Sequence, residues 1–366
     1  MLQNNGNNTG KTSDKKTLST NASPAAKVSD KASVQSPAKS EKAGAKKQVS
    51  FAGNAPTVLA FAVFCLLLLT ENMASASYVN SGNPYLSTMV LQLCIFVVPC
   101  AFYCTLRRVK VSSACRIRLP GVSGWTLVLC ALPALVFAVM AAKYIQCYVF
   151  EARLGSAVSI TSAGDSLYLV LSYAVVPAVA EELCFRGIML SEYEKYFGKL
   201  VAIVTTSLLF AMIHFNARDF FAYLISGIII GITVCATNSV AAGMILHFFS
   251  NLVAIFTDNF IVKISSDSSA GRFALVIVMV VSLAFVMLWL SRIEKLYNEL
   301  SERAQKPSAA MTERERLLNT HSSFAGGERI RLLHPDISVP TAFRRIVVSP
   351  AFVCVCIAFL IKIATE

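Results

Sequence analysis

A chain of 366 residues that is 55% hydrophobic and only 15% charged, with a mean hydropathy of +0.60, is too apolar for an ordinary soluble fold and has the make-up of a multi-pass membrane protein. Its formal net charge of +12 is concentrated in the first fifty residues and in two polar connections beside apolar runs. There it acts as topology signal and lipid contact, so the expected partner is the bilayer, and nucleic acid is not expected. The eleven cysteines are scattered, mostly within apolar runs, and form no CxxC pair, which argues against a zinc ribbon or a disulfide framework.

Residues 1–50 are rich in Lys, Ser, Ala and Asn and nearly lack large apolar side chains, the composition of a disordered basic tail. No apolar stretch follows a short basic start there, so no cleaved secretory signal is expected. Apolar runs follow at 57–70, 86–106, 122–142, 166–190, 200–213, 220–236, 240–256, 273–290 and 347–361. A full crossing takes roughly 17–25 residues, so the shorter runs must borrow flanking residues or tilt. The expected fold class is all-α, a polytopic membrane helix bundle with about eight or nine transmembrane helices. The chain then divides into the tail, N-terminal transmembrane helices (51–165), a chemistry-bearing core (166–256), a further transmembrane helix (257–290), a cytoplasmic loop (291–345) and a last transmembrane helix (346–366).

Basic residues set the orientation. The connection with Arg107, Arg108, Lys110, Arg116 and Arg118 should be cytoplasmic, as should 291–345; Glu71 to Tyr85, without Lys or Arg, should lie outside. Nine spans would put the N-terminus inside and the short C-terminus outside. His321 and His334, in the 291–345 loop, read as surface residues.

The stretch that demands more than packing is Pro177-Ala-Val-Ala-Glu-Glu-Leu-Cys-Phe-Arg-Gly187, inside a run long enough to cross a bilayer. Ionisable groups at that depth are costly and face a protein interior or a wet cavity. Glu182 and Arg186 are four apart and stack on one helix face with the acid first, the favourable order. Glu181 lies about 100° round the helix, outside that pair. Pro177, one turn earlier, removes a backbone hydrogen bond and should kink the helix before the acids. The environment thus divides two adjacent carboxylates: one is neutralised, and the other is free to act as a base. Arg186 could instead snorkel to the interface.

Of the four histidines, His214 and His247 lie at or within apolar runs. The polar break at Tyr196 to Lys199 should make 166–190 and 200–213 an antiparallel hairpin. Glu181 and His214 are each about 16 residues, or roughly 24 Å, from its turn and should meet at one level. Phe210 and His214 are four apart, and so are His247 and Asn251, so each pair shows one face to the bundle interior. Asn251 could orient His247, or both could donate to a substrate oxygen.

Glu181-Glu182-x-x-x-Arg186, Phe210-x-x-x-His214 and His247-x-x-x-Asn251, in this order on successive hydrophobic helices, resemble the CAAX protease and bacteriocin-processing family of intramembrane glutamic or metallo-endopeptidases. The resemblance covers about 166–256. It implies that Glu181 activates a water with help from His214, that His247 and Asn251 hold the oxyanion, and that Glu182 and Arg186 form a supporting ion pair. A base, a positioned water and donors at the tetrahedral oxygen are what peptide hydrolysis needs.

Glu181, His214 and His247 could alternatively form a three-ligand zinc site with an open position, although no HExxH motif is present; in the glutamic reading no cofactor is required. The expected function is thus endopeptidase cleavage of a membrane-associated peptide or protein, either CAAX-type or a bacteriocin or pheromone precursor. A transporter or proton relay would use the same intramembrane Glu and His, but the paired repeats of transporters are not visible. A non-catalytic immunity scaffold is the third reading. Arg186-Gly187 and the basic tail look more like bacterial family members, which implies the bacterial plasma membrane.

Overall fold

A computed structural model of the chain describes residues 54–80, 84–109, 111, 115–150, 163–264, 269–305 and 337–365. All belong to one compact unit, Lys46–Glu366. The basic tail, His321 and His334 lie outside the described residues.

Among the described residues every regular element is helical. In chain order these are α1 (Ala55–Asn80), α2 (Pro84–Arg107), α3 (Val122–Phe150), α4 (Ala163–Val170), α5 (Val176–Glu182), α6 (Leu190–Phe197), α7 (Lys199–Met212), α8 (Phe220–Thr237), α9 (Val240–Ile264), α10 (Ser269–Gln305), α11 (Val339–Val347) and α12 (Pro350–Thr365). Two π-helical stretches, Leu171–Val175 and Leu183–Met189, join α4, α5 and α6 into one continuous rod.

Each apolar run of the sequence lies on a helix, but length separates them. Tyr85–Arg107, Val122–Gln146, Ser166–Phe197, Phe220–Thr237 and Gly271–Glu299 are long and apolar enough to cross a membrane. The pair α11 and α12, bent by 65° at Ser349, makes a sixth candidate if it counts as one span. Ala55–Thr70, Lys199–Met212 and Val240–Ile255 are shorter apolar helices. The supposed outer loop from Glu71 is in fact helical as far as Asn80, because nothing in Glu71 to Asn80 breaks a helix before Ser81-Gly82-Asn83-Pro84.

The chemistry-bearing rod is central. α5 packs against α2 and α9, α6 against α7, α7 against α8, and α8 against α9, while α3 supports α8, α9 and α10. Two backbone features close the hairpins. Gly198, at φ 82° and ψ 167°, turns α6 into α7 in a conformation open only to glycine. Asn238, in the left-handed region at φ 51°, turns α8 into α9. The connection after α2 is fastened to the second turn: Arg118 Nε donates to the Asn238 carbonyl at 2.8 Å and the Val240 N–H to the Arg116 carbonyl at 3.3 Å. Arg116 also pairs with Glu194 on α6.

Candidate active site

The π-helical turn Leu171–Val175 ends just before Pro177. Proline has no N–H to offer the Tyr173 carbonyl, and the ladder is re-registered over one wide turn, with the Val176 N–H bonded to Leu171 O. Instead of breaking, the rod stays continuous and presents α5, with both acids in its last turn, between two π segments.

Glu182 and Arg186 are both 0% exposed, so the snorkelling reading of Arg186 is corrected. Each buried ion costs several kcal/mol, roughly, in lost hydration. Three contacts offset this for the guanidinium: Nη1 donates to Glu182 Oε1 at 2.7 Å, Nη2 to the Gly227 carbonyl of α8 at 3.3 Å, and its carbon stands 4.4 Å from the centroid of the Phe210 ring. Lipid would supply none of these, so the charge turns inward.

Glu182 does more than pair with Arg186. His247 Nδ1 lies 3.0 Å from the same Oε1, so Glu182 orients that imidazole, a partner for His247 that spacing along its own helix did not offer. A carboxylate paired with arginine can only accept, so Nδ1 carries the hydrogen. Space for this carboxylate depends on Gly243: a Cβ built there would stand 2.8 Å from Glu182 Oε2 and 2.8 Å from Val234 Cγ2. Asn251, one turn beyond His247 on α9, is partly buried.

Glu181 is 7% exposed, and its Oε2 has no hydrogen-bond partner among the described residues. His214 Nε2 faces it at 4.0 Å. On the far side of the ring, His214 Nδ1 is 2.8 Å from the Phe210 carbonyl, one turn back on α7. A carbonyl cannot donate, so Nδ1 carries a hydrogen, and in the neutral ring Nε2 then presents a lone pair to Glu181. The Phe210 ring touches both imidazoles edge to face, at 4.8 Å from His214 and 5.6 Å from His247. One phenyl ring therefore spaces the two histidines and also carries the arginine. His214 has a second flat neighbour, Tyr223 of α8, stacked at 3.8 Å.

The structure thus gathers Glu181, Glu182, Arg186, His214 and His247 around Phe210. Among the described residues, no three His, Cys, Asp or Glu side chains are grouped to hold a metal ion. Glu181, His214 and His247 are not grouped in that way here; Nδ1 of each imidazole is bonded to a protein acceptor, which leaves Nε2 as the nitrogen each ring could offer to a ligand. Sequence reasoning missed the second bond of Glu182, the stacked Tyr223 and the close approach at Gly243. Only Gly243 left a signal: it lies one helical turn before His247, on the same face of α9.

Helices alone among the described residues, several of them long and apolar enough to cross a membrane, define the class of multi-pass membrane proteins, here with a buried carboxylate facing an imidazole. Residues 163–253 match the family model described as Rce1-like, type II CAAX prenyl endopeptidase Rce1-like. That segment runs from the start of α4 into α9 and contains every motif residue named above, so the resemblance drawn from the motifs and the family match agree. The family is one of peptidases. No curated protein and no solved structure matches the chain.

Proposed function

We propose that the chain is an intramembrane endopeptidase that hydrolyses a peptide bond in a membrane-associated peptide or protein, with Glu181 as the base. The observation that carries this reading is the unpartnered Oε2 of Glu181 facing the Nε2 lone pair of His214 at 4.0 Å. That gap is too long for a direct hydrogen bond and fits one bridging water. A water about 2.8 Å from each atom subtends roughly 90° at its oxygen, so it can offer one hydrogen to each acceptor and keep a lone pair for attack.

The steps then balance. The water oxygen bonds to the scissile carbonyl carbon while its proton passes to Glu181, and the carbonyl oxygen becomes the oxyanion. Collapse breaks the C–N bond, and Glu181 returns the proton to the leaving nitrogen. His247 and Asn251 donate to the oxyanion. Because His247 Nδ1 already donates to Glu182, Nε2 donates to the oxyanion only from the doubly protonated ring.

The CAAX type named in the family description is the first substrate class to test, and bacteriocin or pheromone precursors are the second. The bacterial plasma membrane remains the proposed location. Purified protein in liposomes should cleave a prenylated CAAX peptide or a membrane-anchored precursor peptide. Glu181→Gln and His214→Ala should abolish cleavage and keep the wild-type melting temperature. Undiminished cleavage by either variant would refute the assignment.

A further inference from the structure

His214 works only if its Nε2 is aimed at Glu181, and its own hydrogen bond cannot ensure that. The bond from Nδ1 to the Phe210 carbonyl, 2.8 Å long, fixes the tautomer but acts as a pivot about which the ring can turn. A second constraint must set the plane. The Phe210 ring meets the imidazole at 66°, touching it edge to face without covering it. Tyr223 lies nearly parallel to it, with centroids 3.8 Å apart and planes 18° apart. We infer that Tyr223 is a positioning residue for the peptidase reaction, holding the plane of the His214 imidazole so that Nε2 points at Glu181. This rests on the peptidase reading for its kinetic consequence but not for its geometry.

The local chain is built to hold the stack. α7 ends at Met212, and Phe215 takes a left-handed conformation at φ 47°, unusual for a bulky residue. Its ring is held edge-on, at 4.6 Å, by Phe64 of α1, which lies outside the family-matched segment. Asn216 then clamps the loop: Oδ1 accepts from the Arg218 N–H at 3.0 Å and the Asp219 N–H at 3.1 Å, and Nδ2 donates to Asp219 Oδ2 at 2.9 Å. The Tyr223 N–H donates to the Asp219 carbonyl at 3.0 Å, which places the ring in the first turn of α8. Pivot, clamp and stack leave the imidazole one orientation.

Histidine-labelled full-length protein in nanodiscs tests this without reference to activity. The His214 ring signals, assigned by their loss in His214→Ala, should be displaced upfield by the stacked ring and should carry the signature of the tautomer with hydrogen on Nδ1. Tyr223→Phe should keep the displacement and Tyr223→Leu should lose it. In cleavage assays Tyr223→Leu should lower kcat about 10-fold to 100-fold with KM nearly unchanged, and Tyr223→Phe should restore most of the rate. Wild-type His214 signals at unstacked positions would overturn the inference, and that reading is available even if Tyr223→Leu fails to fold. So would a Tyr223→Leu enzyme with wild-type kcat, or a Tyr223→Phe enzyme as impaired as the leucine variant. Upfield ring signals in a protein that cleaves no peptide would leave Tyr223 its positioning role and remove the peptidase reading instead.

Discussion

Gly243→Ala adds one methyl group to α9 and removes no functional atom, so it isolates how far the site depends on close packing. On propensity alone, alanine in a helix interior is favoured over glycine by about 0.5–1 kcal/mol. The structure opposes this. The new Cβ would stand 2.8 Å from Glu182 Oε2, 2.8 Å from Val234 Cγ2 and 3.2 Å from Ile230 Cγ2. Carbon contacts settle at about 3.5–4.0 Å, so these neighbours must retreat by about half an ångström or more. Val234 is β-branched and stiff, and the Glu182 carboxylate is pinned by Arg186 and His247 through its other oxygen. Overpacking of this kind costs about 1–3 kcal/mol and outweighs the propensity gain. A carboxylate that moves takes His247 with it, and an error of about 1 Å at a catalytic group can cost about 100-fold in rate. Thermal denaturation in detergent should therefore show a lower melting temperature for the alanine variant, and single-turnover cleavage a kcat reduced by about 10-fold or more. An alanine variant that melts at or above the wild-type temperature and keeps its kcat would refute this packing argument.

Arg186→Met leaves Glu182 charged and buried without its main partner and should destabilise the protein by about 3–5 kcal/mol. Combined with Glu182→Gln it should cost less than the two single changes added together, which a denaturation cycle would read. Gly198→Ala forces a side chain into a turn at φ 82° and should cost about 1–3 kcal/mol, measurable as a lowered melting temperature with kcat retained at a temperature where both proteins are folded. Asn251→Ala should lower kcat by about 100-fold to 1,000-fold with little change in KM, as expected for loss of a donor to the oxyanion.

The sequence alone determined the helical class, the placement of each apolar run on a helix and the acid–histidine pairing, because these follow from local composition and from counting along a hairpin. Glu181 and His214 meet for the reason the chain length dictates: each is about the same number of residues from the turn at Gly198. Tertiary packing decided the rest. Whether Arg186 turned inward or snorkelled depended on an acceptor on α8 and a ring on α7, neither of them visible from its own helix. Glu182 came to serve both Arg186 and His247 because Gly243 lets α9 close in on α5, and the distance between two backbones is written in no spacing along one chain. His214 gained its stacking partner only once the Asn216 clamp had set where α8 begins. Spacing fixes which side chains share a face, but the approach of one helix to another fixes which of them can exchange a hydrogen bond, and that distance belongs to the folded bundle.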